Sequence, residues 1–131
     1  MRLAGTMSDW TEDELTRVGN AEELEISSRR ADGTLRGFVT IWVVRAGDDL
    51  IVRSAYGATN PWFRRAVASG AGRIRAGGVE KDVTFATVAP DAHARIDAAY
   101  HAKYDRFGAA IVNTVVGSTA AQSTIRLLPS A

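Results

Sequence analysis

RIRAGGVEKDVTFATV, residues 73–88, is the stretch whose reading decides the fold. Gly77-Gly78 separates two segments that carry apolar and charged residues in turn. A Gly-Gly pair in that setting predicts a β-hairpin with a two-residue loop. The loop fixes the register, placing Arg75 opposite Glu80 and Arg73 opposite Asp82. Opposite charges across paired strands favour this register over a slipped one. Both arginines gain partners within the sheet, so neither counts as a candidate ligand group. A hairpin makes its two strands antiparallel.

Upstream, two more turns of this kind organise the chain. Asp32-Gly33 predicts a turn between LEISSRR, residues 24–30, and LRGFVTIWVVR, residues 35–45. The second of these segments does not alternate. It reads as the longest strand, a barrel stave covered on both faces. Gly47-Asp48 leads into LIVRSAY, residues 50–56, and a two-residue loop there sets Trp42 opposite Arg53, within reach of a cation–π contact. STIRLLP, residues 123–129, closes the chain as a strand.

Helices fill the gaps. Thr11 and Glu14 have capping-box spacing, which predicts a helix from about Glu12 to Val18 with Leu15 and Val18 inward and Gly19 as its stop. In ATNPWFRRAVASG, residues 58–70, Asn60 suits an N-cap, Pro61 the first helical position and Gly70 the end. From Pro90 to Phe107, Ala92, Ile96, Ala99, Tyr100, Lys103 and Phe107 share one stripe, with Asp91 as cap and Gly108 as terminator. AAIVNTVVGSTAAQ, residues 109–122, reads equally as a short helix or a loop. The sum is an α+β, mainly β protein: an antiparallel six-stranded barrel, closed or partly closed, with three to four helices. No linker or repeat divides residues 1–131, so one domain is expected.

Composition narrows the function classes. The chain has 131 residues, 46% hydrophobic and 24% charged, a normal balance for a globular protein with a sizeable core. It has no cysteine, which excludes disulfides, thiolate nucleophiles and cysteine-held metals, and which fits a cytoplasmic location. No apolar run reaches membrane-span length, so no membrane association is expected. MRLAGTM is too short and polar for a signal peptide. Residues 1–7 are expected to be a disordered start, and Met7 is a second candidate initiator.

Net charge is +1, well short of a general nucleic-acid binder, so no nucleic-acid partner is expected. The charge is unevenly spread: −5 over residues 1–25, +6 over residues 26–81 and zero over the remainder. A basic middle attracts phosphate or carboxylate groups.

Standard catalytic motifs are missing. His93 and His101 lie eight apart on one helix, about 12 Å along its axis, too far to share a metal, and no metal site is expected. No serine sits in a Gly-x-Ser-x-Gly context. Glu22-Glu23 and Asp48-Asp49 fall at turns or termini, where acids are solvated. GAGRIRAGG, residues 70–78, lacks the strand–turn–helix setting of a dinucleotide motif and the lysine of a phosphate-binding loop. What remains is a constellation at strand ends. Ser27, Ser28, Arg29, Arg30 and Arg36 surround the first turn. Ser54, Tyr56 and Gly57 end a later strand, and Asn60, Trp62, Arg64 and Arg65 open the next helix. Guanidiniums, small hydroxyls and a helix start are groups that bind anions.

The order SSRRADGTLR, VTIWVV, DDLIVRSAYG, TNPWFRRAVASG, GRIRAGGVEKDV resembles the split-barrel flavin- and deazaflavin-binding proteins, in particular small deazaflavin-dependent nitroreductases. More narrowly, the pattern running from RRADGT through TIWVVR, GDDL and SGAGRIRAGGV is similar to a family of uncharacterised bacterial proteins of this size. The resemblance covers about residues 10 to 129. It implies an FMN-binding-like split β-barrel, often a homodimer, with a groove beside the barrel for a small-molecule ligand. It also implies that deazaflavin or FMN is the cofactor. Carried over, phosphate would meet Arg29, Arg30, Arg36 and Ser54. Tyr56 and Trp62 would wall the ring, with Asn60 and Arg65 at the rim. The departures are the all-arginine turn, the shortened NPW, and Arg65 in place of a smaller polar residue. The leading expectation is a flavin- or deazaflavin-dependent oxidoreductase acting on a small organic molecule. The alternative is a non-redox binding protein, or a biosynthetic cyclase or isomerase, using the same groove without flavin.

Overall fold

In the computed structural model, which describes residues 10–130, the chain begins with helix α1, Glu12–Asn20. Its capping box is formed. Thr11 Oγ1 accepts from the Glu14 N–H at 3.0 Å and Glu14 Oε1 accepts from the Thr11 N–H at 3.0 Å. Such a cap is worth about 1 kcal/mol. Leu15 and Val18 are buried as expected, but the helix runs past Gly19, which packs against Arg45. The expected disordered start at residues 1–7 lies outside the described residues.

Strand β1, Leu24–Ser28, follows. The predicted long stave from residue 35 to 45 is instead two short strands, β2, Val39–Ile41, and β3, Val44–Ala46. β2 pairs with β1 while β3 pairs with β4, Asp49–Arg53, across the expected Gly47-Asp48 loop. Helix α2, Pro61–Ser69, then leads through Gly70, in the left-handed region, into β5, Ala71–Ala76, and β6, Val79–Ala86. The register is the one read from the sequence, with Arg75 opposite Glu80 and Arg73 opposite Asp82. Arg73 pairs with Asp82 at 2.8 Å, whereas Arg75 turns to Glu25 at 3.3 Å and to the Phe38 ring at 3.7 Å. A single 3-10 turn precedes helix α3, His93–Tyr104. The ambiguous stretch holds two four-residue helices, α4, Ala109–Val112, and α5, Ser118–Ala121, before the closing strand β7, Thr124–Pro129.

All seven strands form one antiparallel sheet, ordered β2-β1-β5-β6-β7-β4-β3. The count is one more than expected because the long stave is broken. The break itself shows how the sheet closes. β2 and β3 are its opposite edges, yet only Trp42 and Val43 separate them in the chain. Extended backbone spans at most about 3.5 Å per residue, so the two edges lie within roughly 10 Å. The sheet must curl until its ends meet. Side chains of α3 hold that joint. The Val43 N–H donates to the Tyr104 hydroxyl at 3.2 Å, and Trp42 stacks on the Tyr104 ring at 3.9 Å with the planes 4° apart. The expected contact of Trp42 with Arg53 does not form: the indole stacks on Tyr104, and the Arg53 guanidinium lies over the Tyr100 ring at 5.6 Å.

β4 is buried on both sides, which suits its unbroken apolar run. Leu50 and Val52 point into the barrel with Leu24, Ile26, Ile74 and Leu127. Ile51 points out, into a second cluster under α3 with Ile96, Tyr100 and Val115.

Candidate functional site

α2 buries Trp62, Phe63 and Ala66, which lie on one face of the helix. The opposite face must therefore carry Arg64, Arg65 and Ala68 outward, and it does. Across from it stands the β1–β2 loop. A bridge between Arg29 and Leu35 narrows that loop, and Gly33 takes a φ of 89° that a larger residue would resist. Asp32 Oδ1 accepts from the Thr34 hydroxyl at 2.7 Å and from the Thr34 N–H at 3.0 Å. The hydroxyl bond is the first cause that holds the Asp32 carboxyl below its ordinary value.

Loop and helix enclose an open groove of about 910 Å³. Five guanidiniums line it: Arg29, Arg30, Arg36, Arg64 and Arg65. They are not equivalent. Arg29 donates to the Gly33 carbonyl at 2.8 Å and pairs with Asp82 at 3.0 Å. Arg30 donates to the Leu35 carbonyl at 2.9 Å. These two shape the loop. Arg36, Arg64 and Arg65 have no side-chain hydrogen bond or ion pair among the described residues, and Arg36 Nε is shielded from solvent without an acceptor. Cations gathered around a groove without counter-charges make an attractive place for an anion.

Four of the expected site residues thus come together here, and Arg64 joins them as a full member. Trp62 lies one layer deeper. With Ser28, Arg36, Gly37 and Arg65 it lines a recess of about 20 Å³, the room of a water molecule and not of an aromatic ring. Asn60 sits at the start of α2 with its carbonyl accepting from Phe63 and Arg64, but its side chain forms no cap bond. Ser54 is 0% exposed. Its N–H donates to the Ser123 carbonyl and its own carbonyl accepts from Ser123 Oγ at 3.1 Å. Tyr56 is 80% exposed, with a φ of 66° unusual for a tyrosine, and does not line the groove.

Sequence reasoning missed one charged centre. Arg53 is 2% exposed at the end of β4. Its guanidinium pairs with Asp97 of α3 and donates to the Val115 carbonyl at 2.8 Å and to Thr124 Oγ1 at 2.9 Å. The His93 Nδ1 lies 3.2 Å away and the Tyr100 ring 5.6 Å away. Every neighbour is an acceptor or a π-face, so this arginine ties β4, α3 and β7 together and is not free for a ligand. An arginine inside an otherwise apolar strand, LIVRS, was the available signal. His101, one turn beyond Asp97 on α3, lies 2.8 Å from Asp105 Oδ1.

Among solved structures, one described as an F420 reductase superposes with a TM-score of 0.58, at 17% identity over 93% of this chain and 97% of the other. A FAD-binding protein from Mesorhizobium loti gives 0.53, at 16% identity over 93% and 91%. Similarity at this level establishes the fold: a split β-barrel, mainly antiparallel, with helices packed against it. No protein of curated function matches the chain. The family model described as "Uncharacterized protein conserved in bacteria (DUF2255)" matches residues 14–127. That span takes in the loop, the arginine groove and every strand but the last residues of β7, and the chain belongs to that bacterial family.

Proposed function

We propose that this protein is a flavin- or deazaflavin-dependent oxidoreductase acting on a small organic molecule, with the anionic part of the cofactor held in the arginine groove. The observation that carries this reading is the set of three guanidiniums, Arg36, Arg64 and Arg65, left without side-chain partners among the described residues around about 910 Å³. FMN and F420 both carry phosphate, and guanidinium is its best side-chain partner. The fold is shared with proteins described as an F420 reductase and a FAD-binding protein. When bound, such a cofactor supplies the hydride chemistry, which fits a groove whose described lining holds no carboxylate, imidazole or amine. The chain's own residues then bind and orient. Arg36, Arg64 and Arg65 neutralise the phosphate, and Arg29 and Arg30 hold the loop that frames it. The ring would lie in the open groove, because the recess beside Trp62 is too small for it. We further propose a cytoplasmic homodimer, as in the split-barrel proteins the sequence resembles.

That small recess favours a second reading, a non-redox binding protein or a cyclase or isomerase that uses the groove for another anionic molecule. Titration of the purified protein with FMN and with F420, followed by absorbance and thermal shift, separates the two. Micromolar binding of either supports the first reading. Stabilisation by inorganic phosphate or a carboxylate, with no binding of either cofactor, supports the second.

A further inference from the structure

The groove is not the only chemically unusual place. Lys103 lies on the apolar stripe of α3, half-buried, at the wall of a second cavity of about 500 Å³ between α1, β3 and α3. This second site is open to solvent: Leu15, Val44, Ala99 and Ala102 form its apolar side, and Thr16, Asn20 and Arg45 a polar side of nearly equal extent. Its size is within the range of small-molecule sites.

The amine is held, not loose. Lys103 Nζ donates to the Ala21 carbonyl at 2.5 Å and to the Val43 carbonyl at 2.6 Å. A neutral amine has two N–H bonds and one lone pair. Both N–H bonds can stay on these carbonyls, and the lone pair is then left unused. The third proton of an ammonium finds no acceptor among the described residues. The Tyr104 ring lies 5.0 Å away. Nearby charges work in opposite directions. Arg106, on the turn after α3, repels the ammonium, and Glu22, between α1 and β1, attracts it. Arg45 of β3 shares the cavity but is neutralised by Glu12 of α1 at 2.8 Å. Burial dominates and pushes the amine down to about 8. Lys81, the second lysine of the chain, is locked in an ion pair with Glu14 at 2.8 Å.

We propose that Lys103 is a covalent binding site for small, mostly apolar aldehydes that enter the α1–β3–α3 cavity and condense with its amine. The lone pair adds to the carbonyl carbon, water leaves, and the imine nitrogen takes up one proton from solvent, so that a protonated imine remains with its single N–H on a backbone carbonyl. No oxidant or reductant is needed. The two carbonyl dipoles favour a cationic adduct, so an imine is retained better than a neutral amide. This site is separate from the arginine groove and stands independently of the cofactor reading.

The test uses the wild-type protein, benzaldehyde and cyanoborohydride, which reduces the imine to a stable secondary amine. Peptide mass spectrometry then compares the two lysines, with the α-amino group as internal standard. An amine titrating near 8 is about 10% neutral at pH 7, against well under 0.1% for an ordinary lysine. Lys103 should therefore label at least tenfold faster than Lys81, with a rate midpoint near pH 8. The preference should vanish in urea. Less than tenfold preference in the folded protein, or a midpoint above pH 10, would overturn the proposal.

Discussion

The Val43 N–H, which belongs to no strand ladder, donates to the Tyr104 hydroxyl at 3.2 Å, and that hydroxyl lies 2.6 Å from the Glu22 carbonyl. One phenol on α3 therefore closes the joint between the two edges of the sheet. Tyr104→Phe keeps the stacked face for Trp42 and removes only the oxygen. A buried N–H left without a partner costs about 1–3 kcal/mol. Chemical denaturation should show a loss of about 2 kcal/mol with an unchanged m-value. A variant as stable as wild type would mean that water replaces the phenol there.

Asp97 carries the counter-charge of a buried cation. Arg53 keeps its bonds to Val115 and Thr124 when Asp97 is replaced, but its charge is then uncompensated. Breaking a buried pair from one side costs about 3 kcal/mol or more. Asp97→Asn should lose roughly that much in urea unfolding, whereas Arg53→Met with Asp97→Leu should recover most of it. If the double variant is no better than the single one, the guanidinium's bonds matter more than its charge.

Gly72 shows how closely β1 and β5 approach. A Cβ at this position would lie 1.9 Å from the Ser27 carbonyl oxygen and 2.9 Å from the Phe85 ring. The first neighbour is backbone and cannot move without opening the ladder. Gly72→Ala should cost more than about 3 kcal/mol. Gly37→Ala, where nothing lies within 4 Å, should stay within about 0.5 kcal/mol of wild type. Soluble yield and thermal midpoints of the two variants check the contrast.

What the sequence revealed and what it hid divide along locality. The Gly77-Gly78 hairpin, the Thr11–Glu14 cap and the Gly70 stop depend on residues a few positions apart, and each was readable. The break at Trp42 and Val43 was not. It is imposed by Tyr104, 61 positions later, and by the closure of the sheet. The site divides the same way. Arg29, Arg30, Arg36 and Arg65, which line one groove, could be grouped in advance because clustered guanidiniums are visible in a string of letters. Ser54 was expected to face a ligand, and the structure buries it against Ser123, 69 positions on. Trp62 was expected, from the family resemblance, to wall a bound ring, yet which face of α2 meets β1 is decided by the barrel.

The unpartnered arginines give a graded expectation. Arg36→Ala, Arg64→Ala and Arg65→Ala should each weaken FMN binding about tenfold, since a charge-assisted hydrogen bond is worth about 1.5 kcal/mol or more. None should move the thermal midpoint, because none makes a side-chain hydrogen bond or ion pair among the described residues. Arg30→Ala should instead loosen the loop through its lost bond to Leu35. Isothermal titration at two salt concentrations measures the affinities and shows whether the salt dependence falls with each charge removed. Wild-type affinity in all three variants would move the ligand elsewhere.

Lys103 predicts a pH dependence of stability whose sign follows from burial. Its amine titrates near 8 in the folded chain, below the ordinary lysine value of 10.5. Between those two values the unfolded chain holds a proton that the folded chain has released. Stability therefore rises with pH across that window. The contribution is complete above about 10.5 and is lost as pH falls through 8. Other groups titrate in the same range, so the quantity to follow is a difference. Lys103→Met removes the titration while keeping most of the apolar stem. Urea unfolding of both proteins from pH 7 to 11 should give a wild-type minus variant stability that climbs between 8 and 10.5 and is flat below 8. A flat difference throughout would mean that the carbonyls of Ala21 and Val43 hold the ammonium charged. The amine would then also lack the lone pair that aldehyde capture requires.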